Sequence, residues 1–192
     1  RVPPFGEDGN FSEAELVQRN NSELAHGLGN LVHRTTAMIL RYRGGIVPAV
    51  PVYGESESHI ARQAQITVET VDAALQNLAF NKALEAVEAF IAELNRYVNE
   101  RAPWSLASES KVEELDAVLG TLAESIRFLT TLAAPFMPQT ASRMKTCLAL
   151  NEVPKVHDLI WGNTLANTVI QHGTPLFKVL EPPAEEKPSP IK

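Results

Sequence analysis

Between Asn20 and Arg43 the chain reads NNSELAHGLGNLVHRTTAMILRYR, and its apolar positions recur at helical spacing. At about 100° per residue, Leu24, Leu28, Leu31, Thr35, Met38 and Ile39 fall on one side and predict a face turned to a core. His26, Asn30, His33, Arg34, Ala37 and Arg41 fall on the opposite side. Asn30 and Arg34 are one turn apart, so their side chains project together. Ahead of this helix, Ser12 with Glu15 three residues on has the pattern of a capping box and predicts a short helix. Asn20-Asn21-Ser22 is then expected to interrupt, with Asn20 capping the longer helix and Glu23 completing a second box. Gly27 and Gly29 each cost a helix about 1 kcal/mol relative to alanine, so a backbone or a ligand is expected to pass close to them. Gly44-Gly45 should end the helix in a left-handed cap.

The same periodicity continues downstream. Pro48 and Pro51 make IVPAVPVYGESES a loop. A second long helix is predicted from about His59 to Gln76, packing through Ile60, Ala64, Ile66, Val71 and Ala74. A third runs from Phe80 to Asn99 on Ala83, Leu84, Val87, Phe90, Ile91, Leu94 and Val98; Pro103 closes it, with Trp104 just beyond. A fourth, from near Glu109 to Leu132, carries Val112, Leu115, Val118, Leu119, Leu122, Ile126, Leu129 and Leu132. Pro135-Phe136-Met137-Pro138 breaks it before a shorter fifth, Gln139 to Leu148. HDLIWGN, NTVIQHGTP and LFKVL then read as an extended arm packed on something else. The Pro- and Glu-rich EPPAEEKPSPIK reads as a mobile tail. No run suits a sheet core and no repeat period is visible. The expectation is an all-α antiparallel bundle of about five helices with a C-terminal extended arm. Its expected divisions are a linker at 1–11, a helical domain at 12–150, the arm at 151–180 and the tail at 181–192.

Composition narrows the chemistry. The 192 residues are 44% hydrophobic, as a folded domain requires. The single Cys147 rules out an internal disulfide and a multi-cysteine zinc cluster, and its apolar helical setting makes it a buried small side chain. No run is apolar enough to span a membrane. RVPPFGEDG has neither a start methionine nor a signal-peptide pattern, so the chain is expected to be a fragment or a processed form. The net charge of −6 argues against bulk electrostatic binding of nucleic acid. Yet Arg34, Arg41 and Arg43 gather on the opening helix, while Glu85, Glu88, Glu93, Glu100, Glu113, Glu114, Asp116 and Glu124 crowd the middle. A basic stripe on an acidic body favours selective contact.

Enzyme signatures are missing: no glycine-rich phosphate loop with lysine, no HExxH and no GxSxG. His26, His33, His59, His157 and His172 do not form a metal set, and no metal site is expected. What remains is the polar face and Trp104. An amide beside a guanidinium offers hydrogen bonds and a fixed charge for a base or a phosphate, though the same spacing also suits a plain solvated face. Trp104 is either a core plug or, if exposed near Asn30 and Arg34, a stacking platform for an unpaired base.

These segments together resemble a known family. LAHGLGNLVHR is similar to the LAxxLGNLxxR helix that opens the anticodon-binding domain of methionyl-tRNA synthetases. ERAPW resembles that family's second signature, LxxLAAPFMPxTAxxM its closing helices, and GTPLF the arm that returns toward the catalytic body. RVPPFGEDGNFS resembles the link out of the catalytic domain, so the similarity runs over roughly residues 1–180. It implies that Asn30 and Arg34 contact the anticodon, with His26 and His33 on the same face, and that Trp104 stacks against it. It further implies recognition of the CAU anticodon of tRNA(Met), chiefly its first base. His26 and His33 stand where many members have asparagine; since imidazole changes charge near neutral pH, any contact they make with RNA would depend on pH. The nucleotide-binding HIGH-type and KMSKS-type motifs are absent, so ATP, with magnesium, and methionine are expected to bind a catalytic domain outside this chain. That domain and the anticodon loop are the expected partners, in a cytoplasmic protein or an organellar counterpart. The alternatives are the anticodon domain of a sister class I synthetase (valine, leucine, isoleucine or cysteine), and a helical protein-interaction module with a broad apolar groove.

Overall fold

The computed structural model describes residues 12–50, 52–162, 164–171 and 173–181; the expected linker at 1–11 and nearly all of the expected tail lie outside them. Helix α1 spans Glu13–Arg19 and starts where the sequence places it, the Ser12 hydroxyl accepting from the Glu15 amide at 3.3 Å. The expected break at Asn20-Asn21-Ser22 does not occur. The backbone continues through a π-helical stretch, Asn20–Gly29, into α2, Asn30–Arg43, as one helical rod. Asn20 is itself helical and does not cap the start of the longer helix. Its side chain donates to the Lys178 carbonyl, while Asn21 donates to the Leu180 carbonyl and accepts from the Leu180 amide. The polar run that looked like a stop is a grip on the arm.

The π-helical stretch takes one more residue per hydrogen-bonded turn than an α-helix, so 100° periodicity does not hold across residues 20–29. Leu28, Leu31, Thr35 and Ile39 are buried as expected, joined by Val32 and Thr36, while Leu24 and Met38 are only partly covered. Gly29 is needed at this seam: a Cβ there would stand 3.2 Å from the Phe177 ring of the arm and 3.0 Å from the Leu24 carbonyl. Gly44 ends α2 in the left-handed conformation at φ +60°.

Helices α3 (Glu55–Gln76) and α4 (Phe80–Arg101) form an antiparallel pair. Helix α3 begins four residues before its expected start, and Val68, not the half-exposed Ile66, joins its core face. A short α5 (Pro103–Ser108), which periodicity did not reveal, follows α4 with Pro103 in its first turn, where a missing amide hydrogen is harmless. Helix α6 (Val112–Ala133) is the axle of the fold, packed against α2, α3, α4, α5 and α7 (Pro138–Cys147). Every residue from Ala117 to Ala133 is buried, although Val112 is exposed. Among the described residues, five helical rods, the short α5 and a 3-10 turn at Val156–Asp158 therefore make an all-α bundle. Among the described residues β-structure is limited to a single bridge between Ile46 and Val169.

The arm lies across this bundle. Val47 exchanges backbone hydrogen bonds with Asn167 and Thr168, and the Gln171 amide reaches the Cys147 carbonyl. Thr131 donates to the Pro154 carbonyl, and Arg127 donates to the carbonyls of Asp158 and Ile160. Cys147 is buried, and burial pushes its thiol above the ordinary range. Among the described residues no helix is long and apolar enough to cross a membrane.

Candidate functional site

The opening rod and the α4–α5 corner meet at one end of the bundle. Arg34, in the second turn of α2, donates from its two terminal nitrogens to the Asn99 side-chain amide oxygen Oδ1, at 3.4 and 3.3 Å. The same guanidinium carbon stands 5.5 Å from the centre of the Trp104 ring, a cation–π distance. Among the described residues its polar partner is a neutral amide, not a carboxylate. These bonds are long, so the guanidinium is held in place without its charge being neutralised.

Trp104 is 44% exposed, which decides between the two sequence readings: it is not a core plug. Pro103 beside it is buried and anchors the turn. Ala102, with φ +42° and ψ +63°, turns the chain through the left-handed region between α4 and α5, so Trp104 leaves the axis of α4 at the corner. The ring is partly exposed, with the Arg34 guanidinium over it.

Asn30 begins α2 one turn before Arg34 and is half-buried. His26 and His33 are exposed on the same rod. Geometry thus joins Arg34 to Trp104 directly and places Asn30 next to Arg34 along the helix. The residue that sequence reasoning missed is Asn99, five positions before Trp104. Its signal was a polar side chain in the last turn of α4, where Leu94 and Val98 already fixed the buried face. Asn95, one turn back, bridges to the Gly27 carbonyl at 3.4 Å, tying α4 to the opening rod behind this site.

Chemically, the cluster presents an aromatic face, a guanidinium with several donors, and two amides able to donate and accept. No group of three or more His, Cys, Asp or Glu side chains among the described residues is placed to hold a metal ion. The α3–α4 groove lined by Glu55, His59, Glu93, Arg96 and Glu100 is occupied by its own polar contacts, a His59–Glu93 hydrogen bond at 2.6 Å and ion pairs of Arg96 with Glu93 and Glu100 at 3.7 Å.

Residues 47–178 match the family model described as the anticodon binding domain of methionyl tRNA ligase, and residues 1–36 match the class I tRNA synthetase (M) model. The chain belongs to the methionyl-tRNA ligase family and includes its anticodon-binding domain. It is 37% identical over 187 residues to the methionine–tRNA ligase of Deinococcus radiodurans, covering 97% of this chain and 28% of that protein. With the Bacillus subtilis methionine–tRNA ligase it shares 38% identity over 196 residues, covering 100% of this chain and 29% of that protein. The apo structure of Mycobacterium tuberculosis methionyl-tRNA synthetase superposes with a TM-score of 0.88 at 27% identity, covering 95% of this chain and 38% of that one. The same enzyme in complex with methionyl-adenylate gives 0.85 at 26% identity, covering 91% and 35%. The chain therefore spans under a third of the length of these curated relatives.

Proposed function

We propose that the Asn30, Arg34, Asn99 and Trp104 cluster reads the anticodon of tRNA(Met), with the CAU sequence as its target and the first cytidine as the base read most closely. The observation that carries this reading is the Arg34 guanidinium lying over a partly exposed Trp104 ring, 5.5 Å from its centre. A splayed-out base stacks on the indole, a contribution of about 1–3 kcal/mol per base. Stacking alone is indifferent to base identity; hydrogen bonds to the edge supply it.

A cytosine edge offers a carbonyl oxygen, a ring nitrogen acceptor and an amine donor. Arg34 donates to the first two on turning away from Asn99, and an amide or backbone carbonyl accepts from the amine. The Asn99 oxygen released by Arg34, or that of Asn30, fits this role. A uracil or guanine at this position would not match that order of acceptors and donor. His26 and His33 lie along the same rod and extend the face toward neighbouring nucleotides.

Adenylate formation with ATP and magnesium, and transfer of methionine to tRNA, belong on this reading to the remainder of a ligase of the relatives' length, in the cytoplasm. The bundle then acts as a rigid spacer that sets the anticodon at a fixed distance from that catalytic body. Stacking is tested by Trp104 fluorescence in a Trp161→Phe background, where Trp104 is the remaining tryptophan. Titration with a CAU stem-loop should quench the emission, and an emission unchanged at saturating stem-loop would overturn the stacking role.

A further inference from the structure

Trp104 follows a left-handed corner, and a buried carboxylate contacts the end of α4 just before it. Ala102 occupies the left-handed region that residues with a Cβ rarely adopt. Such backbone persists only where its surroundings over-determine it. Directly before it, Arg101 places Nε 3.1 Å from Glu57 Oε1 in an ion-pair contact, and its Nη2 lies 3.8 Å from Glu114 Oε2. One turn earlier on α4, the Tyr97 hydroxyl donates to the same Glu57 oxygen at 2.7 Å. Burial and the adjoining Glu57 carboxylate hold the Tyr97 phenol well above its ordinary range, so it remains a donor.

Glu57 sits in the first turn of α3 and is 2% exposed. A carboxylate so deeply buried is a poor way to stabilise a core, because desolvation offsets most of the attraction. Its geometry serves another end. One oxygen gathers Tyr97 and Arg101, which bracket Asn99, and Arg101 immediately precedes Ala102. We propose that Glu57 is a positioning residue for the anticodon reader: through Tyr97 and Arg101 it pins the last turn of α4. It thereby holds the Ala102 corner and fixes Trp104 and Asn99 around Arg34. This rests on the reading of the Trp104 cluster as the anticodon site.

The test is stem-loop affinity of the 192-residue chain carrying Glu57→Gln, in the wild-type and Trp104→Ala backgrounds, at a temperature where circular dichroism shows every variant folded. Glutamine keeps the shape and removes the charge that draws Arg101. Expected is an affinity loss of about three- to tenfold that disappears when Trp104 is already alanine. In the Trp161→Phe background, Trp104 emission should also shift to the red and become easier to quench with acrylamide. Should Glu57→Gln fail to fold, Tyr97→Phe removes a single hydrogen bond and should lose affinity in the same direction with the same dependence on Trp104. A lower melting temperature with unchanged affinity and unchanged Trp104 emission would overturn the positioning role. So would an equal loss in both backgrounds. If Trp104→Ala alone binds like the wild type, the reading of the cluster falls, and the positioning role with it.

Discussion

Two arginines divide the labour of this molecule. Arg127, in the middle of α6, is 2% exposed; it holds Glu124 at 2.7 Å and the carbonyls of Asp158 and Ile160 on the arm. Thr164 donates to the same Glu124 oxygen, and Phe128 lies 5.0 Å below the guanidinium. Its charge is spent inside the fold. Arg34 is half-exposed and rests on a neutral amide and an indole face. Side chains of one type serve as a rivet in one place and as an available probe in the other. The difference lies in their partners: a buried carboxylate fixes one, and weak, exchangeable contacts hold the other.

The sharpest way to break this contrast is Arg127→Ala. Leaving Glu124 buried without its cation should lower the free energy of unfolding by about 3–5 kcal/mol, read by denaturant titration. Stem-loop affinity measured where the variant remains folded should stay at the wild-type value. Arg34→Ala should do the reverse. Its loss of a cation–π contact at a partly exposed site should lower stability by only about 0.5–1 kcal/mol, a shift of a few degrees at most in melting temperature, while binding falls steeply.

A smaller effect is expected where the arm meets the opening rod. Asn21→Ala removes two exposed hydrogen bonds to Leu180, together about 1 kcal/mol. Amide exchange should quicken over residues 176–181 while the exchange of α6 stays unchanged. Uniform quickening across the bundle would mean the arm is not separately held.

How far these features could be read beforehand follows from what each depends on. Local signals were sufficient for the Ser12 cap, the Gly44 terminus and the apolar stripe of α6, because each is set within a turn or two of chain. The Asn20-Asn21 pair was misread as a break, since its partners lie on the arm almost 160 residues away and nothing local announces them. The phase of the opening rod was blurred for a related reason: a π-helical stretch is sustained by tertiary contacts, not by an apolar period. Asn30, Arg34 and Trp104 stood out through motif, but their grouping with Asn99 depends on the left-handed Ala102 corner. A non-glycine residue gives no warning of such a turn. Glu57 was equally silent, because a glutamate near a helix start ordinarily reads as a solvated first-turn charge.

The smallest effect concerns pH. Glu88 on α4 has its carboxyl pushed above the ordinary range, first by partial burial and then by the nearby charge and hydrogen bond of Glu23. A folded-state value raised above the unfolded one means stability is greatest when Glu88 is protonated and falls as pH rises through that raised value. Glu88→Gln imitates the protonated form. Its melting temperature should slightly exceed the wild type at neutral pH, and the two should converge at about pH 4 and below; a constant gap at every pH would contradict the linkage.

The central claim is that Arg34 and Trp104 act as one reader of the first anticodon base. It is tested most directly by measuring the affinity ratio for stem-loops carrying CAU and GAU. The wild-type chain should prefer CAU by about tenfold or more, the range expected when one base edge is hydrogen-bonded correctly. Arg34→Ala should collapse that ratio toward unity, and Trp104→Ala should weaken binding to both stem-loops. A wild-type ratio near one, or a preference that survives Arg34→Ala intact, would contradict it.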